Sequence, residues 1–262
     1  RARDTLRAMN PREIARARRR VLARLERRFP LWRDMARRIH AHPELAFEEH
    51  RACAWLAEAL AQAGFDVECG AGGLPTAFRA AFDTAPRAPV VALMAEYDAL
   101  PETGHSCGHH LSGAASCLAA DALAGGLGGL GLRVRVIGTP AEEKGGGKIA
   151  LLRAGVFDGV DAAMMAHAGF VSLPARDMLG HRRIRAEFRA RAGDPVANAQ
   201  DAAALCLHAV ETLRRGLPNR MRLEAVLADG GRFSSGAAIR ARPDYGRAVA
   251  EFVVQGTAAP AL

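Results

Sequence analysis

Three short apolar runs, Val90–Ala95, Val134–Gly138 and Ala162–Ala166, constrain the fold of this chain more than any other feature. Val90–Ala95 is continuous, as expected of a strand buried on both faces; Val134–Gly138, interrupted by Arg135, reads as another buried strand, and Ala162–Ala166 as one more. Helical stretches follow them, His110–Leu123 after the first and Lys148–Ala154 after the second. Strand and helix in alternation predict an α/β fold with a mostly parallel sheet flanked by helices. Upstream, Ile14, Val21, Leu22 and Leu25 recur at helical spacing over 11–39, with a break expected at Pro30. A second amphipathic helix is expected over 48–63, stopped by Gly64, followed by strands at 65–68 and 76–82. The glycine-rich stretch 125–131 reads as a loop.

After Pro174 the texture changes. An alternating strand at 183–190, an Ala/Leu-rich helix at 197–215 and strands at 221–227 and 248–254 predict a small α+β second domain. The expected organisation is therefore residues 1–175 and residues 176–262, with a frayed tail from Gly256.

Each apolar run ends in a polar island, and in parallel sheets ligand sites gather at the carboxyl ends of strands. The islands are Glu96-Tyr97-Asp98-Ala99-Leu100-Pro101 with Gly104-His105-Ser106-Cys107-Gly108-His109-His110, then Pro140-Ala141-Glu142-Glu143, then Met164-Met165-Ala166-His167. Thiolate, imidazole and carboxylate together form a transition-metal ligand set. Cys107 and His109, two apart beside Gly108, can reach one ion from a turn. Adjacent carboxylates at Glu142 and Glu143 point in different directions, so one can bind metal while the other faces a substrate. Their mutual repulsion favours a cation nearby or a raised pKa.

The formal net charge of +8 comes almost wholly from arginine, Lys144 and Lys148 being the only lysines. Without an RNA-binding motif and with few aromatics, an Arg-rich solvated helix face explains it better than nucleic-acid binding. Five cysteines without framework spacing predict reduced thiols and a cytoplasmic protein. No apolar stretch is long enough to cross a membrane, and no secretory leader is expected.

The stretches EYDALP, GHSCGHH, GTPAEEKGGGKI and MMAHAG resemble those of the aminoacylase and carboxypeptidase-G type metallo-amidohydrolases. They are most similar to the branch of auxin-conjugate hydrolases, aminobenzoyl-glutamate hydrolases and related dipeptidases, as is HPELAFEEH near the start. The resemblance runs from about Leu31 to about Gly256. It implies two divalent metals (zinc, manganese or cobalt), an inserted small domain that forms a homodimer, and hydrolysis of an amide bond in an N-acyl amino acid or small dipeptide. Residue by residue, it implies Cys107, His109, Glu143 and His167 as metal ligands, Cys107 in the bridging position. It also implies Glu142 as general base and Asp98 as the carboxylate orienting the metal centre. Glu96 stands where more distant members place a ligating histidine, and its role is open.

Two departures accompany the resemblance. Such proteins return to the catalytic domain after the inserted one and bring a last histidine ligand, whereas this chain ends before that return, so a C-terminally truncated member is expected. In the second domain the family's histidine after the first strand is absent from Ala190-Arg191-Ala192-Gly193-Asp194. The alternatives are a non-catalytic metal-binding or dimerisation remnant, and a structural single-zinc site in an unrelated α/β protein.

Overall fold

The structure, a computed structural model, describes residues 10–86, 88–127, 131–173, 180–189, 199–218, 221–229 and 247–256. The chain divides into two compact units, Arg1–Ser172 and Leu173–Leu262.

In the first unit helix α1 spans Pro11–His40. Asn10 starts it by accepting the Arg12 N–H on Oδ1 at 2.9 Å, and Pro11 takes the first helical position, where a missing N–H costs nothing. The break expected at Pro30 does not occur; the helix runs through it. The reason is tertiary: Arg24 and Arg28 before the proline and Trp32 after it all bind the same buried carboxylate, Asp121. Anchors on both sides hold the helix together where one backbone hydrogen bond is lost. The apolar stripe also differs from expectation. Ile14 and Leu22 are exposed, and the buried positions are Ala17, Trp32, Ala36 and Ile39.

Helix α2 is His50–Gln62 and helix α3 is His109–Gly126, with which α1 packs. The approach of α1 to α3 needs glycine at 126, where a Cβ would stand 2.6 Å from Val21 Cα. Gly125 and Gly126 therefore close α3, and positions 128–130 of the expected loop lie outside the described residues. Part of the arginine excess is structural rather than solvated, because Arg24 and Arg28 pair with Asp121.

Among the described residues five strands, β1 (Asp66–Cys69), β2 (Phe78–Asp83), β3 (Val90–Ala95), β4 (Arg133–Gly138) and β5 (Ala162–Met164), form one sheet in the order β1-β2-β4-β3-β5. The pairs β3–β4 and β3–β5 are parallel, while β1–β2 and β2–β4 are antiparallel. The α/β class stands, but the sheet is mixed rather than mostly parallel. Between β1 and β2 lies only a short turn with a 3-10 segment at Ala71–Gly73, too brief for a parallel crossover. Ala95 pairs with Gly138 and Leu93 with Met164, so the register of the three parallel strands delivers their carboxyl ends to one edge. Trp32, Leu56, Leu60, Phe78, Tyr97 and Val136 make the core between the helices and this sheet. The short helix α4 (Gly147–Arg153) follows β4 and buries Leu151. Strand β5 is an exposed edge, shorter than the five residues expected.

Among the described residues the second unit has a three-stranded antiparallel sheet, order β6-β8-β7, of β6 (Gly180–Arg189), β7 (Arg222–Asp229) and β8 (Arg247–Gly256). Helix α5 (Ala199–Arg215) packs on it through Ala199 and Ala203, against Phe188. The stretch 190–194 and the tail from 257 lie outside the described residues. Among the described residues no helix is long and apolar enough to cross a membrane.

Candidate metal centre

The carboxyl ends of β3, β4 and β5 bring together the sequence-predicted residues of the first unit. After β3 the chain stays extended, so side chains alternate: Tyr97 enters the core and donates its hydroxyl to the Thr76 carbonyl at 2.6 Å, while Glu96 and Asp98 turn to the other side. Both of those carboxylates meet His109. Its Nδ1 is 2.8 Å from Asp98 Oδ1, and its Nε2 is 3.3 Å from Glu96 Oε2.

Cys107 and His109 flank Gly108, whose φ of 87° turns the chain into α3. A Cβ at this glycine would lie 2.6 Å from that of Ala168, so the turn abuts the loop bearing His167. Cys107 Sγ is 3.6 Å from His167 Nε2. Donor atoms of Cys107, His109 and His167 lie within 4.8 Å of one another, as do those of His109, Glu142 and Glu143. His109 is common to both groups, so the two lie side by side.

The histidine tautomers follow from their partners. An ionised Asp98 only accepts, so His109 carries its proton on Nδ1 and presents the Nε2 lone pair. The Ala168 carbonyl likewise takes the Nδ1 proton of His167 at 2.7 Å and frees Nε2. Carboxylate or carbonyl behind one ring nitrogen, with the other open, is the habit of metal-ligating histidine. Asp98 does more: its Oδ2 accepts the Glu143 N–H at 2.9 Å, tying the island after β4 to the one after β3.

Electrostatics point the same way. Burial would raise the Asp98 carboxyl, but the hydrogen bonds from His109 and the Glu143 N–H outweigh it and hold it below the usual range. Burial lowers His109, and Asp98 with Glu96 more than restores it, leaving it raised. Glu142 is raised, by burial first and by Glu96 second, against the opposing charges of Lys148 and His109. Lys148 pairs directly with Glu96. The Cys107 thiol is pushed up to about 12 by burial and by the surrounding carboxylates. Only a cation among these groups would make it a thiolate at neutral pH.

Buried polar atoms in folded proteins nearly always find partners. Here His109 Nε2, Glu96 Oε2 and Glu143 Oε1 are buried and have none, and all three belong to one cluster. Soft, borderline and hard donors in that arrangement fit a divalent transition metal.

His105 and His110, which share the island of Cys107 and His109, are in neither group of donors. Their rings, 5.1 Å apart, gather with His40 instead, His40 lying 4.8 Å from His110. Glu96, whose role was open, meets His109 and Lys148; three participants did not stand out in the sequence, Lys148 and two of the three carboxylates of HPELAFEEH, Glu44 and Glu49. Glu44 accepts the N–H groups of Arg51 and Ala52 at the start of α2, and Glu49 accepts the Ala141 N–H. The carboxylates of that motif were the available signal.

No protein-family model matches the chain. It is 34% identical over 242 residues to the Xaa-Arg dipeptidase of Mus musculus, covering 84% of this chain and 55% of that protein. It is 43% identical over 153 residues to a p-aminobenzoyl-glutamate hydrolase polypeptide of Escherichia coli strain K12, covering 51% and 31%. The chain thus spans about half the length, or less, of the curated relatives it matches. Among solved structures, a putative aminohydrolase from methicillin-resistant Staphylococcus aureus superposes with TM-score 0.71 at 22% identity, covering 91% of this chain and 67% of that one. A dinuclear metal-binding peptidase from Bacillus subtilis gives 0.64 at 24%, covering 90% and 65%. By sequence its relatives are dipeptidases and amide hydrolases, and its fold is shared with solved peptidases, among them one of the M20 family.

Proposed function

We propose that this chain carries the metal centre of an amide hydrolase acting on N-acyl amino acids or small dipeptides. The supporting observation is the convergence of Cys107, His109, Glu143 and His167 around three buried polar atoms that lack partners. Those four residues would hold two divalent ions, zinc being the best match to a thiolate, with manganese or cobalt suited to the mixed donors. When bound, the metal supplies Lewis-acid polarisation of the scissile carbonyl and activation of water at neutral pH.

Asp98 fixes His109 in its Nε2-open tautomer and holds the Glu143 backbone. The Glu142 side chain is half-exposed, with Oε2 3.9 Å from His109 Nε2, so it faces both the donors and solvent. A carboxyl raised above its ordinary range can take a proton from the attacking water as the C–O bond forms and pass it to the leaving amine nitrogen as the C–N bond breaks. Among the described residues every cysteine is free, in keeping with a reducing cytoplasm as the compartment. A homodimer through the second unit completes the proposal, supported by exposed Ile184, Leu205 and Val226.

The test combines metal content with amine release from a panel of N-acyl amino acids and dipeptides, using the purified 262-residue chain. Glu142→Ala should keep its metal and lose about 10²–10⁴-fold in turnover. A wild-type chain without metal, or a Glu142→Ala chain that still turns over at the wild-type rate, would refute the assignment.

A further inference from the structure

The segment Glu44–Glu49 holds both acidic islands of the site, although it belongs to neither. On one side, the Glu44 carbonyl accepts the N–H of Ala99, the residue after Asp98, at 2.8 Å, and Leu45 makes an isolated parallel bridge with Ala99. On the other, Glu49 Oε1 accepts the N–H of Ala141, the residue before Glu142, at 2.8 Å, across 92 positions of sequence. Glu49 is wholly buried, as is Ala141.

Ala141 is the critical joint. Its φ is 57°, a left-handed conformation that a residue with a Cβ adopts only when its surroundings enforce it. The enforcement is visible on both faces of the residue. Glu49 holds the N–H, and the carbonyl accepts from Gly145 at 3.1 Å and Gly147 at 3.3 Å. The left-handed turn directs the chain out of β4 so that the Glu143 N–H reaches Asp98 and both glutamates reach His109. Phe47, itself at φ 65°, lays its ring on Gly145, where a Cβ would come within 2.1 Å of the ring. The same segment thus supports this loop a second time.

We infer that Glu49 is a positioning residue of the metal centre: its carboxylate clamps Ala141 in the left-handed turn that aims Glu142 and Glu143. The inference rests on the metal-centre assignment above, and one experiment separates the two. Cobalt(II) is titrated into the metal-free 262-residue chain, with the visible ligand-field absorption and a chelator competition giving spectrum and affinity. Glu49→Gln keeps the reach of the side chain and an acceptor oxygen but removes the charge; Glu49→Asp keeps the charge but is one methylene short.

A clamp predicts that Glu49→Gln binds cobalt within about twofold of wild type, with an unchanged spectrum. Glu49→Asp should bind about tenfold more weakly, with an altered spectrum. Ala141→Gly removes the strain that the clamp opposes, so Glu49→Asp/Ala141→Gly should recover at least half of that loss on a logarithmic scale. Glu49→Asp binding like wild type would overturn the inference, as would Glu49→Gln binding as weakly as Glu49→Asp. Loss of helical circular dichroism in Glu49→Asp would also overturn it, by making Glu49 a residue of the whole fold. A wild-type chain that binds no cobalt would overturn the metal-centre assignment and this inference together.

Discussion

The two ends of helix α3 each carry a buried ionisable side chain, and they are treated in opposite ways. Near the C-terminal end, Asp121 is saturated: Arg24 reaches Oδ1 at 2.7 and 3.1 Å, and Arg28 and Trp32 reach Oδ2 at 2.6 and 3.0 Å. At the N-terminal end, His109 has one nitrogen on Asp98 and the other facing a carboxylate oxygen, with no hydrogen bond. One helix therefore offers an internal control. A buried charge that serves the fold is surrounded by its counter-groups, whereas the cluster at His109 is short of a cation and gains by taking one up.

Three experiments bear on this contrast. The largest effect should come from Asp121→Ala, which leaves two partly buried guanidinium groups and an indole N–H without their acceptor. A loss of about 3–5 kcal/mol in urea unfolding is expected, with cobalt affinity little changed if the variant remains folded. A loss under about 1 kcal/mol would erase the distinction between the two ends. Next, zinc at one hundred times its dissociation constant should stabilise the wild-type chain by about 2.7 kcal/mol. His109→Ala should abolish that gain while costing the metal-free chain much less than Asp121→Ala does; a full zinc shift in His109→Ala would break the comparison.

The smallest effect is in pH dependence. Burial alone would raise Asp121, but the bonds from Trp32, Arg28 and Arg24 outweigh it and hold the carboxyl below its ordinary range. A lowered folded pKa contributes stability that is complete above the ordinary carboxylate value, about 4, and is lost as pH falls below it. Metal affinity declines earlier, because imidazole and thiol must lose protons to bind. Melting curves with and without zinc should therefore converge on acidification before the metal-free chain itself weakens. Simultaneous loss of both contributions would contradict the separation.

The residues of the contrast were unequally legible in the sequence. The run Val90–Ala95 has the bounds its apolar pattern gives, and Cys107, His109, Glu142, Glu143 and His167 stand out as chemistry at strand ends. Asp121 does not stand out, because one acid on a helix acquires meaning only when three donors arrive from 89 to 97 positions away. The same holds for Glu49, whose partner is a backbone N–H and leaves no mark in composition. Pro30 misleads for a related reason: its local penalty is visible, and the anchors that override it are remote. The antiparallel flank of the sheet escaped because apolar periodicity carries no strand direction.

The bonds between α1 and Asp121 also carry a consequence for how this chain folds. They close loops of 89 to 97 residues, and β1, β2 and β3 all lie inside those loops. Contacts of such separation recover the entropy of loop closure only after the intervening chain has collapsed. Docking of α1 is therefore expected late, on a partly formed sheet, and Asp121 is neutralised only then. An intermediate lacking α1 would hold an uncompensated carboxylate on an otherwise apolar helix face. A slow refolding phase in Trp32 fluorescence, abolished with Asp121→Ala, would be its kinetic trace.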